Sequence, residues 1–171
     1  MLNTMRTKRL VLSALFAALI FVAITLFQVP NGLGGIIHFG DAMIFISAAV
    51  LPFPYALPVA AIGAGMSNLV RVPIWFPFTI IIKPIMTLCF TAKSDRILGS
   101  KRNIAAPFAA AIINTVLYFG ANWILFDQYT AVAALTGLFI QGGGSIIFYF
   151  IIAYVLDRVG IKARFRKEGI L

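Results

Sequence analysis

The stretch from Ala42 to Val70 runs for 29 residues without a charged side chain, punctuated by Pro52, Pro54 and Pro58. A helix rises 1.5 Å per residue, so crossing about 30 Å of hydrocarbon takes about 20 residues. The stretch is therefore too long for one crossing and too short for two full ones. Two short helices, about 40–52 and 55–71, joined by a tight proline turn, satisfy the length. A re-entrant hairpin is a rival that leaves the parity of crossings unchanged. The same measure places further spans at about 10–28, 77–92, 105–126 and 130–157, which predicts an all-α integral membrane bundle of six transmembrane helices in one domain, residues 1–171. Composition agrees: 61% of residues are hydrophobic and 11% charged, against about 25% charged in an ordinary soluble domain. Basic residues followed by an apolar run can mark a signal peptide, but Leu10–Phe27 is long and lacks a small-residue cleavage pattern, so it reads as a retained first helix.

A net charge of +9 would suit a nucleic-acid binder, but the placement of the bases argues against that partner. Twelve of the fourteen Lys and Arg residues form three clusters outside the apolar runs: Arg6, Lys8 and Arg9; Lys93, Arg96, Lys101 and Arg102; and Arg158, Lys162, Arg164, Arg166 and Lys167. With six spans all three clusters fall on one side. The positive-inside rule makes that side, and both termini, cytoplasmic in a multi-pass protein of the cell membrane. The opposite side holds residues 28–40, 72–76 and 127–130, with Arg71 the base at its edge.

Polar groups inside spans cost energy and so carry the information. Lys83 lies about 9 Å below the outer end of a helix starting near Pro77, where insertion costs about 2.5–3.5 kcal/mol. It either snorkels outward or is buried as a substrate contact or as a structural partner of Asp41. His38 and Asp41 close a glycine-rich loop ahead of the second helix, where Asp41 can cap the helix and also face a pocket. Asn114, Tyr118 and Asn122 recur every four residues and form one polar stripe, for ligand or for interhelical hydrogen bonds. Trp75 and Trp123 suit an interfacial belt or a stacking wall. Gln141 precedes three glycines, and Asn68 sits near Arg71. The single Cys89 excludes an internal disulfide, and no Cys/His metal pattern, paired carboxylates, HExxH, GxSxG or P-loop is present. Neither enzyme chemistry, nor a metal or other cofactor, nor a built-in energy source is expected.

Small residues mark close helix contacts: Ala14 and Ala18, with Ser13 and Ala17 beside them, and Ala56, Ala60, Ala64 and Asn68. Together with the ordered runs Ile37-His-Phe-Gly-Asp-Ala42, Leu51-Pro-Phe-Pro-Tyr55, Gly63-Ala-Gly65 and Ile80-Ile-Ile-Lys-Pro84, these features resemble the substrate-binding S components of energy-coupling factor (ECF) vitamin transporters. The likeness covers nearly the whole chain. It implies capture of a water-soluble vitamin or precursor in a pocket built from the first outer loop and helices 4 to 6. It also implies docking through Ala14 and Ala18 on a transmembrane coupling subunit driven by two ATPase subunits. A stand-alone small-solute facilitator or channel, and a membrane scaffold, are the competing readings. The residues expected at the substrate are His38, Asp41, Asn68, Arg71, Trp75, Lys83, Asn114, Tyr118, Asn122, Trp123 and Gln141.

Overall fold

A computed structural model describes residues 2–30 and 36–171. The chain is a helical bundle in the order α1 (Leu2–Leu26), β1 (Gln28–Pro30), β2 (Ile36–His38), α2 (Gly40–Val50), α3 (Phe53–Arg71), a 3-10 turn (Pro73–Trp75), α4 (Phe76–Thr87), α5 (Lys101–Leu125), α6 (Gln128–Val159) and α7 (Ile161–Lys167). Four helices, α1, α3, α5 and α6, are long and apolar enough to cross a membrane, and two shorter apolar segments, Gly40–Val50 and Pro73–Thr87, accompany them. Their outer faces carry Leu15, Val70, Ile112, Ile124 and Ile147, all largely exposed. An apolar surface of that extent is stable only under lipid or protein.

The short α2 is the centre of the bundle. Ten of its eleven residues are buried, which is what a helix apolar on every side requires. At about 1.5 Å per residue it reaches only about half the hydrocarbon thickness. Its neighbours, rather than lipid, cover its ends. Phe45 stacks on Phe90 with ring centroids 5.2 Å apart and meets Tyr149 edge-on at 6.0 Å. α1 and α3 approach closely at Gly63, where a Cβ would lie 2.7 Å from the Ala17 carbonyl oxygen. On α3 the Ala56, Ala60 and Ala64 row is buried as its spacing predicts.

Several boundaries differ from expectation. The proline turn is shorter, with α3 starting at Phe53 and the Pro52 carbonyl accepting from Tyr55 and Ala56. α1 starts at Leu2 rather than near residue 10, because helix continues through the basic segment outside the apolar run. The fourth helix ends at Thr87, not 92, and α5 starts at Lys101, not 105. Between them the irregular backbone is held by side chains. Asn103 accepts from the Thr91 N–H at 2.8 Å and donates to the Thr91 and Ile97 carbonyls, each at 2.9 Å. Asp157 accepts from the Ile97 and Leu98 N–H groups at 2.6 and 2.8 Å. Backbone groups outside regular helix are satisfied here by these side chains. The basic segment after α6 forms α7, following a left-handed Gly160. The first loop contains a three-residue antiparallel pair, Gln28 opposite His38. The Gly34 and Gly35 of that loop lie outside the described residues.

The three basic clusters do gather at one end. Lys8 donates to the Glu168 carbonyl at 3.2 Å and Arg9 to that of Ile170 at 2.8 Å. Arg166 pairs with Asp95 at 2.9 Å and bonds the carbonyls of Ala92 and Lys93.

Candidate functional site

Toward the other end, a set of buried polar side chains converges. Thr79 and Lys83 are four residues apart on α4 and so share a face. Lys83 Nζ lies 2.7 Å from Asp41 Oδ1 on α2 and donates to Asn114 Oδ1 on α5 at 2.9 Å. Its side chain is 6% exposed, so it does not snorkel. It also stands 5.1 Å from the centre of the Tyr118 ring. A buried charge needs a partner with good geometry, and here one cation ties α2, α4 and α5 together.

Of the readings open for Asp41, helix cap or partner of Lys83, the structure has the pair and not the cap. Phe39 occupies the N-cap of α2 with no side-chain cap bond. Asp41 is the second residue of the helix, and its oxygens turn to Lys83 and to Gln141 Nε2, 3.4 Å away. Position in the first turn still suits its charge to the helix dipole. Gln141 on α6 pairs with the His38 backbone as a neighbouring strand would. It accepts from the His38 N–H at 2.8 Å and donates to the His38 carbonyl at 3.0 Å, with His38 Nδ1 3.2 Å away. Burial pushes the His38 imidazole down to about 4, against the opposing pull of Asp41. The ring is therefore neutral at physiological pH, and its Nδ1 can accept.

A second chain of contacts continues from the first toward the end of the bundle. Asn68 donates to Thr79 Oγ1 at 2.6 Å, and Thr79 and Tyr118 hydroxyls are 2.8 Å apart. Trp75 packs on Tyr118 and Phe126 with centroids at 5.7 and 6.0 Å. Asn122 is buried and donates back to the Tyr118 carbonyl at 2.8 Å. The stripe on α5 thus faces inward along its length. Two expected residues are not brought in. Arg71 is exposed and bonds the Thr25 carbonyl. Trp123 is half exposed and meets only Phe119 edge-on among the described aromatic contacts. Thr79 was missed from sequence, and Ser145 was noted only as a neighbour of Gln141. Their signal was the four-residue spacing from Lys83 and Gln141, respectively.

An apolar groove lies elsewhere. About 550 Å³ opens between α1 and α3, lined by Ser13, Ala14, Ala17, Ala18, Pro58 and Gly63 among others. Ala14 and Ala18 are exposed there. It is an apolar side wall, without the donors and acceptors that a water-soluble molecule needs.

The sequence profile of the family described as "ECF-type riboflavin transporter, S component" matches residues 4–160. The chain belongs to this family. No curated protein matches it. As an ECF S component it is a membrane-embedded, non-enzymatic transport protein, the part of a vitamin uptake system that captures substrate.

Proposed function

We propose that this S component captures riboflavin, or a closely related flavin, at the end of the bundle opposite the basic clusters. On this reading it passes the substrate inward when docked on a transmembrane coupling subunit powered by two ATPases. The family match over residues 4–160 carries the reading. The chemistry near Lys83 supports it. A flavin offers a flat aromatic system edged with carbonyl and N–H groups, and a polyhydroxyl side chain. Trp75, Tyr118 and Phe126 supply ring faces, while Asn68, Thr79, Tyr118, Asn114 and Asn122 supply donors and acceptors beside them. Lys83 uses two of three N–H donors on Asp41 and Asn114, which leaves one for a ligand carbonyl. Gln141 would hold β2, with His38, over the cluster.

The orientation belongs to the same proposal: six crossings, with α2 and the Pro73–Thr87 segment as the short ones, and both termini cytoplasmic. Cysteines at Ser100 and Tyr129 in a Cys89-free background should label from opposite sides of intact cells, Tyr129 from outside. Labelling from the same side would reject it.

Flavin fluorescence provides the functional test. Titrating riboflavin with the purified chain should give saturable quenching at one ligand per protein. Asn114→Ala should weaken it by roughly 5- to 150-fold, the value of a lost buried hydrogen bond of about 1–3 kcal/mol. A folded protein that leaves riboflavin fluorescence unchanged refutes the flavin assignment.

A further inference from the structure

The side-chain amide of Gln141 has only one orientation open to it. Its nearest partners are backbone groups, whose roles are fixed: a peptide N–H donates and a carbonyl accepts. The His38 N–H, 2.8 Å away, faces the amide oxygen, and the His38 carbonyl, 3.0 Å away, faces the amide nitrogen. Turning the amide over would set donor against donor and acceptor against acceptor. The Gln141 nitrogen is therefore a donor toward everything else around it.

One of those neighbours is Nδ1 of the His38 ring, 3.2 Å away. A proton on Nδ1 would bring N–H against N–H, so Nδ1 is bare. Burial keeps the ring neutral, with Asp41 and Lys83 the charges that act on it, in opposite directions. A neutral imidazole with a bare Nδ1 carries its proton on the ring Nε2. That N–H has no partner among the described residues, and His38 is only half-buried. Gln141 is in the reverse position. It is 5% exposed, and its two N–H groups already face four acceptors: the His38 carbonyl and Nδ1, and, each at 3.4 Å, Asp41 Oδ2 and Ser145 Oγ. No N–H is left for a solute.

We propose that Gln141 is a positioning residue that fixes His38 in the Nε2–H tautomer, and that this ring N–H is a donor to the substrate, meeting a carbonyl oxygen or a bare ring nitrogen. The contact with substrate rests on the flavin reading, and the tautomer does not. The same amide reaches Asp41, so one side chain aligns both the imidazole and the carboxylate that holds Lys83.

The chain has a single histidine, so the ring nitrogen signals of the full-length protein carrying isotope-labelled histidine belong to His38 without further assignment. NMR at neutral pH should show Nδ1 bare and the ring Nε2 protonated, with the ring titrating near 4 rather than 6.5. Gln141→Met keeps much of the volume and removes the donor that favours a bare Nδ1. Both tautomers should then appear, and the titration should move upward. A residue that only packs would change neither. Gln141→Glu has the same size and serves if the Met variant folds poorly: its second oxygen accepts, so Nδ1 should gain a proton. Riboflavin should shift the ring Nε2–H signal. His38→Asn places its amide nitrogen no farther than the Nδ1 position and should weaken riboflavin binding about tenfold, the value of one hydrogen bond. His38→Gln reaches the Nε2 position and should recover most of that loss. A native ring protonated at Nδ1 overturns the proposal, as does an unchanged tautomer and titration in the Gln141 variants. So does riboflavin binding that leaves the ring Nε2–H signal unmoved and survives His38→Asn. The expected tautomer in a folded chain that binds no riboflavin refutes the flavin reading instead, and supports the role of Gln141.

Discussion

Replacing Lys83 by Met keeps much of the side-chain volume and removes the cation. Asp41 then retains its charge in a buried position, with Gln141 Nε2 at 3.4 Å as its remaining side-chain donor. Breaking a buried pair from one side costs about 3–5 kcal/mol, most of it from the charge left behind. Asn114 also loses the donor that lies 2.9 Å from its Oδ1, at about 1 kcal/mol more. If the pair organises α2, α4 and α5, removing its other half should return much of that loss. The double variant Lys83→Met/Asp41→Asn should therefore be more stable than Lys83→Met alone by at least about 1 kcal/mol. Thermal unfolding of the four proteins in one detergent measures the cycle, and riboflavin quenching on the same samples reads the ligand. A double variant that loses the sum of the two single losses would show that the residues do not act as a pair, and the reasoning fails. Restored stability with binding still absent assigns Lys83 a contact with the ligand. Restored stability and binding together assign it to holding the helices.

Gly63→Ala places a methyl group 2.7 Å from the Ala17 carbonyl oxygen and 2.8 Å from Ile20 Cβ. It should cost about 1–3 kcal/mol as α1 and α3 are forced apart, read as a lower unfolding midpoint; no change would mean the contact is looser than described. Ala14→Trp or Ala18→Trp, on the exposed face of the side groove, should abolish co-purification with the coupling subunit and leave riboflavin affinity unchanged. Co-purification surviving both changes would remove the docking role. Lys162 provides a pH signature: its pKa falls from 10.5 unfolded to about 8 folded, so between those values the unfolded chain binds more protons and stability rises with pH. Unfolding midpoints from pH 7.5 to 10.5 should rise more steeply for the native chain than for Lys162→Met, and parallel curves would contradict the buried cation.

The polar cluster was legible in part because each member carries its own penalty. A lysine, a carboxylate or an asparagine in an apolar run is conspicuous whatever surrounds it. The Lys83–Asp41 pair was one of the readings open from the sequence, and the meeting with Asn114 was not. Lys83 finds Asp41 and Asn114 from two other helices, 42 and 31 positions away. Local spacing cannot encode a choice made by helix packing. Arg71 looked equivalent to Lys83 by charge, yet it ends exposed on the Thr25 carbonyl because it sits at the last residue of α3 rather than within α4. Asp41 was readable both as a helix cap, which is local, and as the partner of Lys83, and helix packing chose the second, with the ammonium 2.7 Å from its carboxylate.

Membrane embedding, the long helices and the gathering of bases at one end were determined by the sequence alone. They depend on each segment's exchange with lipid or water, a property that side chains carry singly and that sums along the chain. Only the tertiary structure decided the role of Lys162. By composition it is one more base in a cytoplasmic cluster, while the packing of α7 buries it against the end of α2 with most of its donors unused. Burial is a relation between elements far apart in the chain, and no window of residues around Lys162 contains the other half of it.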